Sequence, residues 1–122
     1  MQTVIVLGAS PKADRYSNKA IKLLTKFGHK VIPVSLAYDT IEGLKNFKSL
    51  SEVQEPADTL TLYLGSKQIA PLIPEIVAFK PGRVILNPGT EDERLVAALE
   101  EAKIPFLRAC TLVLLQTGQF ET

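Results

Sequence analysis

The sequence predicts an α/β protein: a doubly wound, five-stranded parallel sheet with helices on both faces, a three-layer αβα sandwich. Three observations predict it. Short runs rich in β-branched residues alternate with amphipathic stretches along the whole chain. The runs are apolar at successive positions, as strands covered on both faces must be. Each gap between runs is long enough to hold a crossover helix. The chain has 122 residues and is read as one domain, 1–122, large enough for a single core.

The first strand is Thr3–Leu7, ended by Gly8 where the backbone must turn. A helix is expected from Ser17, a good N-cap residue, to Phe27. Ala20, Ile21, Leu24 and Phe27 share one face of it, and Gly28 provides a left-handed stop. Val31–Val34 is the second strand; Pro33 cannot donate to a ladder, which places it toward the sheet edge or marks a local distortion. Ile41–Leu44 reads as a short extended excursion, and Ser49 with Glu52 as a capping box for one helical turn that ends by Pro56. Thr59–Leu64 is the third strand of the sheet, closed by Gly65. Ile69, Leu72, Ile73, Ile76 and Val77 form a helical stripe. Pro71 and Pro74 interrupt that stripe, so a short turn should precede a main helix that starts at one of the prolines. Arg83–Leu86 is the fourth strand. A helix capped by Thr90 and Glu93 follows, then a brief strand at Pro105–Leu107 and a last helix over Thr111–Gln116.

Ligands on such sheets bind beyond the carboxyl ends of the strands, beside the first one. There the loop Gly8–Ser17 carries Lys12 and Arg15 at the positive end of the first helix, an unfavourable place for cations unless an anion joins them. The loop is not a dinucleotide fingerprint: it has one glycine where that pattern has three, and Ser35 stands where an acid would hold a ribose. It is not a Walker loop either. The helix after Asn87-Pro88-Gly89-Thr90 opens with Glu91, Asp92 and Glu93, which would repel a phosphate. That turn would face a neutral part of a ligand, or serve as a plain turn and cap. His29 follows a helix C-terminus on the far side and is read as a surface residue. Cys110, the one cysteine, excludes an internal disulfide and a cysteine zinc cluster and is read as packed and inert. Tyr38 and Tyr63 could contribute apolar walls, but Tyr63, on a central strand, is read as core. No pair of acids is placed for acid–base work.

The stretch Gly8-Ala9-Ser10-Pro11-Lys12-Ala13-Asp14-Arg15-Tyr16-Ser17-Asn18-Lys19-Ala20 resembles the opening of the small stand-alone coenzyme A-binding proteins, which are similar to the N-terminal domain of the succinyl-CoA synthetase α subunit. The resemblance continues through Ile41–Leu44, Pro74-Glu75-Ile76, Asn87–Glu91 and the tail Ala109–Val113 with Gly118–Phe120, nearly the full chain. It implies a Rossmann-like domain that holds CoA or acyl-CoA. Carried over by position, Gly8, Ala9, Ser10, Lys12, Arg15 and Ser17 would hold the diphosphate. Val34 and Ser35 would border the adenosine, and Leu64 and Gly65 the arm leading to the pantetheine. Many relatives have Asn-Pro after the second strand, where this chain has Ser35-Leu36. The synthetase's catalytic histidine and second domain have no counterpart, so that activity does not carry over.

The expectation is a non-catalytic binding or regulatory module for a small-molecule nucleotide ligand, CoA or acyl-CoA. Three alternatives are an enzyme acting on a CoA or nucleotide substrate through Cys110, a NAD(P)-type nucleotide binder, and an interaction subunit without a ligand. A net charge of +1, from 14 basic and 13 acidic residues, gives no general pull on nucleic acid or an anionic membrane. No apolar stretch is long enough to span a bilayer, and the start lacks a signal-peptide pattern, so a cytoplasmic protein is expected, with a homodimer among its possible assemblies.

Overall fold

The computed structural model describes residues 1–121; Thr122, the end of the expected domain, lies outside the described residues. The elements run β1 (Thr3–Leu7), α1 (Tyr16–Lys26), β2 (Lys30–Val34), β3 (Thr40–Ile41), β4 (Leu44–Lys45), β5 (Thr59–Leu62), α2 (Ser66–Ile69), α3 (Ile73–Phe79), β6 (Val84–Leu86), α4 (Glu93–Glu101), β7 (Phe106–Arg108) and α5 (Thr111–Gln116). The sheet order is β2-β1-β5-β6-β7 and every pair is parallel. The chain winds from β1 out to β2, then crosses back over β1 to β5. That reversal makes the gap between the loops after β1 and β5 the topological switch point. The expected doubly wound sandwich is therefore the fold observed.

Alternation along β1 sorts the core into two layers. Val4 and Val6 pack with Ile21 and Leu24 of α1 and Leu115 of α5. Ile5 and Leu7 belong with Ile69, Ile76, Leu95 and Leu99 of α2, α3 and α4. Val4, Ile5 and Val6 are completely buried, and a fully buried aliphatic side chain contributes about 1.5–3 kcal/mol. Pro33 sits in the edge strand, as expected. Beyond it a single bridge pairs Val34 with Phe47 and ties the returning chain to the sheet edge. The excursion between them is the hairpin β3–β4.

Several local expectations shift. α1 begins at Tyr16, with Arg15 in the cap position and no side-chain cap; Ser17 lies inside the first turn and is buried. The Arg15 N–H already bonds to the Lys12 carbonyl, so the chain is wound into the helix before Ser17 is reached. Ser49 does cap a 3-10 turn at Leu50–Glu52, but Glu52 accepts from the Lys48 N–H rather than closing the box on Ser49. Strand pairing of β5 ends at Leu62, two residues short of the expected end. The proline-interrupted stripe becomes α2, a 3-10 turn at Ala70–Leu72, and α3 with Pro74 in its first turn. His29 is buried, not a surface residue: its Nδ1 accepts the Gln2 N–H at 3.0 Å and its ring lies against Phe120.

The start of α4 differs most. Thr90 spends its hydroxyl on the Asn87 carbonyl, and Asp92 takes the cap. The Asp92 carboxylate accepts the Arg94 and Leu95 N–H groups at 2.9 and 3.3 Å, and the Arg94 guanidinium at 2.9 Å. The Arg94 side chain holds this carboxyl far below the usual range, and the backbone donors act in the same direction. A carboxyl whose folded pKa is depressed stabilises the fold above its unfolded pKa and loses that contribution as pH falls. Asp92→Asn should therefore lower the melting temperature at neutral pH, with the gap to wild type narrowing below about pH 4. A gap that stays constant through acid titration contradicts this role.

Candidate functional site

The site is built on the exit from β1. Gly8 takes φ +93°, which a side chain rarely adopts. A Cβ there would also come within 2.9 Å of the Leu64 side chain and the Tyr63 carbonyl, so the close approach of the β1 and β5 ends requires glycine. The N–H groups of Gly8 and Ala9 both donate to the Val34 carbonyl, at 2.9 and 3.2 Å. Both N–H groups are thus engaged within the protein. Ser10 Oγ accepts the Lys12 N–H at 3.1 Å and shapes the loop.

The donors left at this corner belong to α1. The N–H groups of Tyr16, Ser17 and Asn18 have no acceptor among the described residues. Lys12 and Arg15 are exposed beside them and form no ion pair among the described residues. Asn18 is fully buried and its Nδ2 bridges the Ser10 carbonyl at 2.9 Å and Glu42 Oε2 at 3.0 Å. One amide side chain thus fixes the loop to the helix and to the tip of the β3–β4 hairpin.

Next to this corner lies a cavity of about 500 Å³. Leu7, Gly8 and Ala9 form one side of it, Val34 and Ser35 the end of β2, and Leu64 the end of β5. The remaining walls are Leu36-Ala37-Tyr38, Lys48-Ser49-Leu50, and Lys67, Gln68, Pro71, Leu72 and Glu75. The lining is mostly apolar, as ligand cavities are. Leu36 is 86% exposed, a large apolar side chain on the cavity wall with little of the protein covering it. Its loop is held by Asn46, whose Nδ2 donates to the Ser35 and Tyr38 carbonyls at 2.9 and 2.6 Å.

Of the residues singled out in the sequence, Gly8, Ala9, Val34, Ser35, Tyr38 and Leu64 line this cavity. Ser10, Lys12, Arg15 and Ser17 form the adjoining corner. Gly65 is outside the lining, with its N–H donated to Gln68 Oε1. Asn87, Pro88 and Gly89 are also outside it. The Gly89 N–H is taken by Glu91 at 3.1 Å. Asn87 is 2% exposed, and its side chain donates to Thr61 Oγ1 and the Leu62 carbonyl at 2.7 and 2.8 Å and accepts the Thr111 N–H at 2.9 Å. It ties β5, β6 and α5 together, with both Nδ2 protons spent inside the protein. Tyr63 stands beside this cluster; burial pushes its phenol up to about 12, with Thr111 and Thr61 pulling it weakly down. Cys110 and His29 are both outside the cavity.

Tyr38, expected as an apolar wall, does line the cavity; the walls from α2, the turn after it and the start of α3 had no such signal. Leu72, part of the apolar helical stripe, is only half-buried and lines the cavity. The run Leu36-Ala37-Tyr38, apolar in a segment without regular structure, was the signal available for the outer wall.

Fold and site together define a Rossmann-like domain with an apolar cavity at its switch point and unanswered helix donors alongside. The chain belongs to the CoA binding domain family, which matches residues 2–116. The crystal structure of an uncharacterized protein, 38% identical, superposes with a TM-score of 0.92 and 98% of each chain covered. A Thermus thermophilus protein, cell-free ID.343, is 29% identical with a TM-score of 0.87, covering 98% of this chain and 90% of that one. The uncharacterized protein YneT of Bacillus subtilis is 32% identical over 66 residues, 54% of this chain, and the match spans about half of that protein (49%). A dinucleotide-forming acetyl-coenzyme A synthetase of Ca. Korarchaeum cryptofilum shares the fold at 20% identity and a TM-score of 0.75, with 86% of this chain matching 25% of that one.

The scaffold role of Asn87 is testable. Asn87→Ala leaves buried partners without their bonds and should destabilise the protein by roughly 3 kcal/mol in urea unfolding. A loss under about 0.5 kcal/mol would place the three-way tie elsewhere.

Proposed function

We propose that this domain binds coenzyme A or an acyl-CoA and does not itself catalyse a reaction on it. The observation that carries the reading is the adjacency of two unlike surfaces: an apolar cavity of about 500 Å³, and a helix start whose free N–H groups are flanked by unpaired Lys12 and Arg15. A ligand that joins a diphosphate to a base and an uncharged arm matches both at once. Membership of the CoA binding domain family supports the same ligand.

In this reading the diphosphate lies against Ser10, Lys12, Arg15 and the amides of Tyr16, Ser17 and Asn18. Gly8 and Ala9 contribute a floor without side-chain bulk, not hydrogen bonds. Val34 and Ser35 border the adenosine, and Leu64 and Gly65 the arm. Pro88 and Gly89 face an uncharged portion, with Asn87 buttressing them from behind. The cavity lining includes no histidine or cysteine, which favours binding over nucleophilic chemistry. Among the described residues no helix is long and apolar enough to cross a membrane. We place the domain in the cytoplasm, acting on a small-molecule nucleotide rather than a nucleic acid, with a homodimer as one form of assembly.

Titration calorimetry with CoA, dephospho-CoA, NAD, NADP and ATP tests the reading. CoA should bind, and Arg15→Ala should weaken it by roughly 10- to 100-fold, the loss of one charge-assisted contact. Lys26→Ala, at the other end of α1, should leave the affinity unchanged. Binding of NAD without binding of CoA, or an Arg15→Ala variant that binds CoA like wild type, overturns it.

A further inference from the structure

The cavity contains one acid. Glu75 lies in the first turn of α3, half-buried, and is the only aspartate or glutamate in the lining among the described residues. Its Oε1 accepts a hydrogen bond from Ser49 Oγ at 3.1 Å. No hydrogen bond or ion pair of the described residues engages its second carboxylate oxygen. Neither lysine of the lining offsets this: Lys48 pairs with Asp39 at 3.3 Å, and Lys67 forms no ion pair with Glu75. The Ser49 hydroxyl that holds Glu75 is itself fixed, because it also accepts the Ser51 N–H at 3.1 Å and lies 2.6 Å from Ser51 Oγ.

A carboxylate that loses its water to a bound ligand needs donors in return. One neutral hydroxyl answers half of this one. A helix first turn accounts for an acid at this position in part, through the macrodipole. It does not account for the cavity-lining placement, nor for a bond that runs across to Ser49 on a different segment rather than to the backbone of α3.

We propose that Glu75 is the specificity-determining residue of the cavity, accepting a hydrogen bond from an N–H donor of the bound ligand through its second carboxylate oxygen. The inference rests on the CoA reading and adds to it the polar contact that orients the part of the ligand inside the cavity. CoA offers N–H donors from two sources, the exocyclic amine of its base and the amides of its pantetheine arm. A ligand presenting only acceptors at the same place meets a negative oxygen and is rejected. Ser49 acts as a positioning residue, holding the carboxylate by its other oxygen.

The test is titration calorimetry of the full chain, with thermal melts to confirm folding. The probes are CoA, adenosine 3′,5′-bisphosphate, its deaminated inosine counterpart and 4′-phosphopantetheine. Glu75→Leu, which suits an apolar wall, should weaken CoA at least about tenfold, the cost of one unanswered polar contact. Glu75→Gln, which keeps an acceptor oxygen, should recover part of that loss. If the base is the donor, wild type prefers the adenosine over the inosine compound and Glu75→Leu abolishes the preference. If the arm is the donor, Glu75→Leu weakens 4′-phosphopantetheine and leaves the nucleotides unchanged. A folded Glu75→Leu variant that binds CoA and both fragments within twofold of wild type overturns the proposal while leaving the CoA reading intact. Failure of wild type to bind CoA overturns both.

Discussion

One carbonyl oxygen decides how this molecule presents its cavity. Val34 O accepts the N–H groups of both Gly8 and Ala9, so the last residue of the edge strand dictates the path of the chain leaving β1. The same residue is bridged on its other side to Phe47, which anchors the return of the long excursion after β2. Gly8 permits the turn, and the lack of a side chain lets Leu64 close from the β5 side. Three strand ends are thereby held at fixed distances, and the space above them is the cavity. A peptide N–H pair that points inward to Val34 leaves the unanswered N–H groups at this corner to α1.

The consequence is a division of labour along the site. The cavity walls are apolar and come from segments far apart in sequence. The polar corner comes from one continuous stretch, Ser10 to Asn18, braced by the buried Asn18 amide. Glu42, brought to that corner by the β3–β4 hairpin, and the acid-rich start of α4 differ in their surroundings. Asp92 is already saturated by Arg94 and two backbone donors, so the α4 terminus is electrostatically closed. The α1 terminus has no acidic residue in its first turn and no side-chain cap, so it remains open to an anion.

The sheet and its helices were legible because their signals are periodic and strong: β-branched runs for β1 and β5, and one-sided apolar stripes for α1 and α4. Boundaries were less legible where two residues could serve one purpose. Thr90 and Glu93 satisfy the spacing of a capping box, but Asp92 has the stronger acceptor and the nearer donors, and it wins the cap. Ser17 is a good cap residue in the wrong register. The polar corner was legible from Lys12 and Arg15 alone. The bonds from the Gly8 and Ala9 N–H groups to Val34 were not, because a competing carbonyl from another strand leaves no mark in local sequence. Nor was the wall built by α2 and α3, since Leu72 and Glu75 share a helical pattern with residues that pack into the core, and only tertiary contact separates them.

The most direct measurement of the central claim is a map of backbone amide shifts from 15N-labelled protein titrated with CoA. The account predicts that Ser10, Tyr16, Ser17 and Asn18 move together with Leu36, Leu64 and Leu72 around the cavity. Shifts confined to the opposite end, around His29 and Phe120, or no shifts at the start of α1, would contradict it.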